Sequence, residues 1–205
     1  MLLSYDSDMI EKGILSNLYL KERKSMQEIA TSLNYSLHKV AYWMDKYDIK
    51  SRSRSNALYI KNNPSGDPFR IKEIENREDA KLLGLGLGLY WGEGNKKNQG
   101  SIRLGNTNPF LIDSFIKFLV EILGANKLKL RFGLQIFSDI QQDKALDFWL
   151  ENLKKFNINR SQFFKIIVTP SRGIGSYREK SQYGVLTVYY CNSKLKKLLD
   201  SMLPL

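Results

Sequence analysis

The chain has 205 residues with 42% hydrophobic content, enough for one large domain or a small and a medium one. Its net charge of +11 points to a polyanionic partner, and the charge is uneven: residues 81–205 carry 19 Lys/Arg against 9 Asp/Glu, residues 1–55 only 9 against 7. One cysteine and one histidine exclude an intramolecular disulfide and zinc-finger chemistry, no apolar run approaches a membrane span, and no basic-then-apolar signal pattern opens the chain, so a soluble, cytoplasmic, nucleoid-associated protein is expected.

Residues 8–50 read as three short helices. The first, over residues 8–22, carries Ile10, Ile14, Leu15 and Leu18 at helical spacing. Ser25 and Glu28 form the Ser-x-x-Glu pair of a capping box and open the second, with Ile29, Ala30 and Leu33 on one face. A turn at Asn34 and Tyr35 leads to Ser36, which can cap a third helix with Val40, Trp43 and Met44 inward. Ala30 is small where two crossing helices must approach. The combination of Ser25, Glu28, Ile29, Ala30, Leu33, Ser36, Val40, Trp43 and Ile49 resembles a resolvase-type helix-turn-helix. That resemblance implies a third helix in the major groove, presenting Leu37, His38, Lys39 and, one turn later, Tyr42. The alternative is a three-helix bundle that binds protein.

Lys50, Arg52 and Arg54 alternate with serines, as in an extended basic arm for phosphates or a narrow minor groove; a solvated linker is the other reading. The turn formers Asn62, Asn63, Pro64, Ser65, Gly66, Asp67 and Pro68 then mark a boundary. The expected organisation is a helix-turn-helix domain over 1–55, a linker over 56–79 and a second domain over 80–205.

The second domain opens on the segment LLGLGLGLYWGEG, residues 82–94. Gly84, Gly88 and Gly92 recur every four residues, so on a helix they form one bare stripe that lets two backbones approach. Each interior glycine costs about 1 kcal/mol relative to alanine, and close helix–helix contact is the natural compensation. Gly94 suits a left-handed C-cap, which places Glu93 at the tip of a packed helix pair. The stretch GLGLYWGEG, residues 86–94, resembles the LAGLIDADG motif of homing endonucleases. Gly88 and Gly94 fall on its glycines, Leu89 on its second leucine and Glu93 on its final acid; Gly86, Trp91 and Gly92 depart from it.

After Gly94 the pattern mixes strands and helices. Residues 100–106 read as a strand with Ile102 and Leu104 on one face and Arg103 on the other. Asn108 and Pro109 open a helix reaching about Leu123. Residues 127–136 alternate cleanly, Leu128, Leu130, Phe132, Leu134 and Ile136 against Lys127, Lys129, Arg131, Gly133 and Gln135. On a strand Lys127, Lys129 and Arg131 would stand about 6–7 Å apart, a row able to track a phosphate backbone or simply a solvated face. A helix is expected over 141–155, a strand over 163–169 with Lys165 exposed, and a basic loop over 170–180 carrying Arg172, Arg178 and Lys180. A strand over 183–191, with Cys191 as a small core residue, precedes a helix capped by Asn192 and Ser193.

The expected fold class is α+β: a LAGLIDADG-like domain with a curved antiparallel sheet and packed helices, preceded by a small all-α helix-turn-helix domain. The resemblance implies double-stranded DNA as partner, Glu93 as catalytic and metal-holding residue, Mg²⁺ as cofactor, and phosphodiester hydrolysis. With one motif per chain it also implies a homodimer through Gly84, Gly88 and Gly92. The competing reading is a transcription regulator on a catalytically inactive LAGLIDADG fold: Trp91 speaks for it, Glu93 for the endonuclease. A recombinase-like binder has no serine nucleophile context behind it.

Overall fold

The computed structural model describes residues 9–171 and 181–204. The chain divides between Asp67 and Pro68 into two compact units. No helix among the described residues is long and apolar enough to cross a membrane.

The first unit is all-helical. Helix α1, Lys12–Ser16, runs into a wider π turn at Asn17–Lys21, so the first helix is shorter than its apolar spacing predicts. Helix α2, Met26–Leu33, begins on a complete capping box: the Glu28 N–H donates to Ser25 Oγ at 3.2 Å and the Ser25 N–H to Glu28 Oε2 at 2.7 Å. Those hydrogen bonds from Ser25 hold the Glu28 carboxyl below the usual carboxylate range. Asn34 ends α2 in the left-handed conformation at φ 54°, which asparagine tolerates better than most side chains, and the chain turns at once into α3, Leu37–Lys46. Ser36 caps α3, accepting from the Lys39 N–H at 3.2 Å. Ile29, Ala30, Val40 and Met44 join Ile10, Leu15, Tyr19 and Ile49 in one small core.

Arg52 does not belong to an extended arm. Its guanidinium donates to the carbonyls of Arg23 at 3.0 Å, Lys24 at 2.9 Å and Tyr19, and sits 4.0 Å from the centre of the Tyr19 ring. Its backbone N–H donates to the Tyr19 hydroxyl at 2.7 Å. The last carbonyls of a helix lack intrahelical partners and carry partial negative charge, so a planar cation is held there. Arg54 likewise opens helix α4, Arg54–Asn62, capped by Ser53. Part of the expected linker is therefore helical.

From Pro68 onward the linker is part of the second unit. Pro68 O accepts from the Tyr190 hydroxyl at 2.7 Å and from the Asn126 N–H at 3.1 Å, and the Lys72 N–H donates to Ile122 O at 2.8 Å. Gly124, at φ +60°, is where this segment presses closest: a Cβ there would overlap the Arg70 backbone.

The second unit is α+β. Its described elements are α5 (Arg77–Glu93), β1 (Ile102–Asn106), α6 (Pro109–Lys117, continued by a π turn at Phe118–Ile122), β2 (Leu130–Phe137), α7 (Gln142–Leu153), β3 (Ile167–Thr169), β4 (Val185–Tyr190) and α8 (Ser193–Ser201). The strands form one sheet in the order β1-β4-β2-β3. β4 runs antiparallel to β1 and β2, but β3 runs parallel to β2, so the sheet is mixed and not antiparallel throughout. The reason is the intervening α7: a connection containing a helix returns the chain to the end of the sheet where β2 began. Ile102, Leu104, Leu130, Phe132, Leu134, Ile136, Leu186, Val188 and Tyr190 form the buried face and share one core with residues of all four helices.

Two further sequence expectations are corrected. Residues Lys127–Lys129 form a 3-10 turn, not the start of a strand. The Asn126 side chain accepts from the Leu128 N–H at 2.9 Å, and this local turn overrides the alternating pattern, leaving Leu128 73% exposed. Cys191 lies one residue past β4 and is exposed.

Candidate nucleic-acid interface

The face of the sheet opposite the core follows from strand alternation and register. On β4, Val185, Thr187 and Tyr189 point away from the buried Leu186, Val188 and Tyr190. Register sets Tyr189 between Arg103 and Arg131, and Thr187 between Gly105 and Gly133. A row Arg–Tyr–Arg thus runs across three strands beside a row Gly–Thr–Gly. The glycines make room for side chains of β4: a Cβ on Gly133 would stand 3.1 Å from the Tyr189 ring, and one on Gly105 2.9 Å from Thr187 Oγ1.

The Arg103 guanidinium stands 5.2 Å from the centre of the Tyr189 ring, and its Nε donates to Ser101 Oγ at 2.7 Å. Arg131 Nη1 donates to the carbonyls of Leu128 and Leu130, both at 2.8 Å. Phe164 follows the bridge between Phe132 and Phe163, and its N–H donates to Phe132 O at 2.8 Å. Its ring meets Tyr189 edge-on, 5.5 Å between centres and at 75°. Gln135 Nε2 donates to Thr169 Oγ1 at 3.1 Å further along the face.

Glu93 is the last residue of α5 and is exposed. Gly94 after it is extended, φ −74° and ψ 148°, and not left-handed. The chain leaves the helix directly along the outer edge of β1: Gly94 bridges Leu104, and the Asn95 N–H donates to Arg103 O at 2.9 Å. Such edge pairing needs extended backbone, which rules out the left-handed cap. Gly84, Gly88 and Gly92 lie exposed on α5, and a Cβ at any of them would meet nothing within 4 Å. Gly86, on the opposite side, is the packed one: a Cβ there would overlap the buried Phe118 ring.

Beneath the end of α5 lies a polar cluster. Lys196 is 0% exposed and pairs with Asp200, while its Nζ lies 3.5 Å from Lys96 O and 5.7 Å from the centre of the Tyr90 ring. The Tyr90 hydroxyl donates to Asp200 Oδ1 at 3.1 Å. Burial works against the Lys196 ammonium, but its hydrogen bonds to Asp200 and Tyr90 outweigh it and raise the pKa above the ordinary lysine value. Burial raises the Tyr90 phenol as well, with Lys196 opposing. These contacts tie α8 to the helix end that carries Glu93.

One carboxylate does not make a magnesium site. The described residues contain no group of three or more His, Cys, Asp or Glu placed to hold a metal ion. Glu93 of a single chain therefore does not fit the group on its own.

In the first unit, His38 and Tyr42 are exposed on α3. Lys39 is half-buried, with Nζ 3.7 Å from the centre of the Tyr35 ring. Arg54 is exposed, and Arg52 is committed to the fold.

The basic row expected on one strand is not formed. Lys127 and Lys129 stand on the 3-10 turn, and only Arg131 lies in β2. Lys165 is exposed but precedes the short β3, which starts at Ile167. Arg172, Arg178 and Lys180 lie outside the described residues. Sequence reasoning missed Tyr189 and Phe164, whose association depends on strand register, and the Lys196–Asp200 pair. The available signal for the last was a Lys and an Asp at i, i+4 within the apolar pattern of α8.

No family model matches this chain, no curated protein matches it, and no solved structure matches it.

Proposed function

We propose that this chain is a site-specific DNA-binding protein that acts as a homodimer. The observation that carries the reading is the α2–turn–α3 arrangement. Two side-chain caps, the left-handed Asn34 and the small buried Ala30 set two helices against each other, and Leu37, His38 and Tyr42 stay exposed on α3. This supports a helix-turn-helix reading, in which the second helix reads base edges from its N-terminal half. The net charge of +11 supports a polyanionic partner.

The second unit supports a LAGLIDADG-like reading in its glycine-rich helix, the acid at the helix end and the open sheet face beside it. Its element order, with single strands between α5, α6 and α7, departs from the regular αββαββα arrangement; the bridge between Gly94 and Leu104 is all that stands for a first hairpin. The homodimer would pack through Gly84, Gly88 and Gly92, which close helix contact would cover. Endonuclease activity requires that dimer, because only Glu93 from two copies, with DNA phosphates, could supply enough oxygen ligands for Mg²⁺. The lone carboxylate and the exposed Trp91 in the motif's first acidic position favour the second reading, a regulator that binds without cutting.

Two variants separate these statements. Gly88→Leu is expected to halve the mass in solution by sedimentation; an unchanged mass would remove the glycine face from the interface. Glu93→Gln is expected to abolish Mg²⁺-dependent cleavage while DNA binding persists, and equal cleavage by this variant would refute the catalytic assignment.

A further inference from the structure

Resting on the nucleic-acid reading above, we propose that the open face of the sheet binds unpaired nucleobases, with the corner between Tyr189 and Phe164 as their stacking site and Arg103 and Arg131 as the cations beside it. Two rings at 75° with centres 5.5 Å apart make a floor and a wall; the Arg103 guanidinium stands over Tyr189, so a flat heteroaromatic ring lies on Phe164 with its edge toward Tyr189. Phe164 is 50% exposed, far more than a ring placed only to pack would be. Ile167, paired in register with Gln135 and 60% exposed, extends the apolar surface along β3.

The occupant follows from what this face offers. A duplex presents phosphates and base edges, while the π faces of its bases are stacked away. A face built for phosphates alone would carry cations, and the expected row of three is absent: Lys127 and Lys129 stand off the strand. What remains is aromatic surface flanked by two arginines in register with Tyr189. Their guanidiniums are steadied by Ser101 Oγ and by the carbonyls of Leu128 and Leu130. Aromatic rings beside cations suit single strands, whose unstacked bases expose π faces along a charged backbone. The excess of Lys/Arg over Asp/Glu in residues 81–205, 19 against 9, complements such a backbone.

The test titrates the full chain with labelled strands of thymidine or of uridine, about thirty nucleotides long and so longer than the roughly 4–16 that one module covers, and with a duplex of equal length. Phe164→Leu and Tyr189→Leu are each expected to weaken single-strand binding roughly 5- to 150-fold, the range lost with one base–aromatic stack. Tyr189→Phe keeps the ring and is expected to keep the affinity, which separates stacking from any role of the hydroxyl. Preference for thymidine or uridine strands would name DNA or RNA as the source of the base, and either agrees with the proposal. Both leucine variants binding single strands as well as the unaltered chain would overturn it. Binding of duplex but of neither single strand would also overturn it and leave the DNA-binding reading standing, whereas failure to bind any of the three would remove both.

Discussion

Lys196 shows how one buried charge is held in the fold. An ammonium removed from water needs a partner and further hydrogen bonds, and Asp200, Tyr90 and the Lys96 carbonyl surround it. The raised pKa values of Lys196 and Tyr90 fix the sign of a pH effect. Tyr190, raised by burial, acts in the same direction. In each case the folded chain keeps a proton that the unfolded chain releases near its ordinary pKa, about 10 for tyrosine and about 10.4 for lysine. Their contribution to stability is therefore complete below about pH 10 and is lost as pH rises through the folded values. Urea unfolding between about pH 8 and 11 should show the midpoint falling at the alkaline end, and less steeply in Tyr90→Phe. A flat midpoint across that range would contradict the cluster.

Helix α5 has two sides with opposite demands. Gly86 must be glycine because the Phe118 ring occupies the place of a side chain, whereas Gly84 faces open space. Gly86→Ala should destabilise the second unit by about 1–3 kcal/mol, the usual range for overpacking. Gly84→Ala should raise the stability of the isolated chain by about 1 kcal/mol through helix propensity. Denaturant midpoints check both, and a neutral Gly86→Ala would show that Phe118 yields. The four-residue stripe was legible in the sequence because helical spacing is local, but it did not single out Gly86, whose partner comes from α6. The same distinction runs through the chain. Ser25, Glu28 and Ser36 were readable as caps, since their bonds span three residues. Arg52 was not readable as a pin on Tyr19, 33 residues earlier, nor Tyr189 as the centre of a row that exists only once β1 and β2 pair with β4. Alternation also misled at Lys127 and Lys129, where the Asn126 side chain set a turn first.

At the scale of the molecule, the chain combines a capped helix pair in one unit with an open sheet face in the other, under a net charge of +11. If Arg103 and Arg131 each neutralise a phosphate, changing both to alanine should weaken DNA binding and flatten its salt dependence, the slope of log K against log salt falling by about 2. An unaltered slope would place the DNA elsewhere. The most direct measurement is selection of the full chain on a randomised duplex library, with Mg²⁺ and with EDTA, sequencing bound and cut fragments. A homodimeric site-specific binder predicts enriched sequences with two-fold related halves, carrying Mg²⁺-dependent ends if the dimer brings two Glu93 carboxylates together and remaining intact if it is a regulator. A bound pool as random as the input would contradict sequence-specific DNA recognition by this chain.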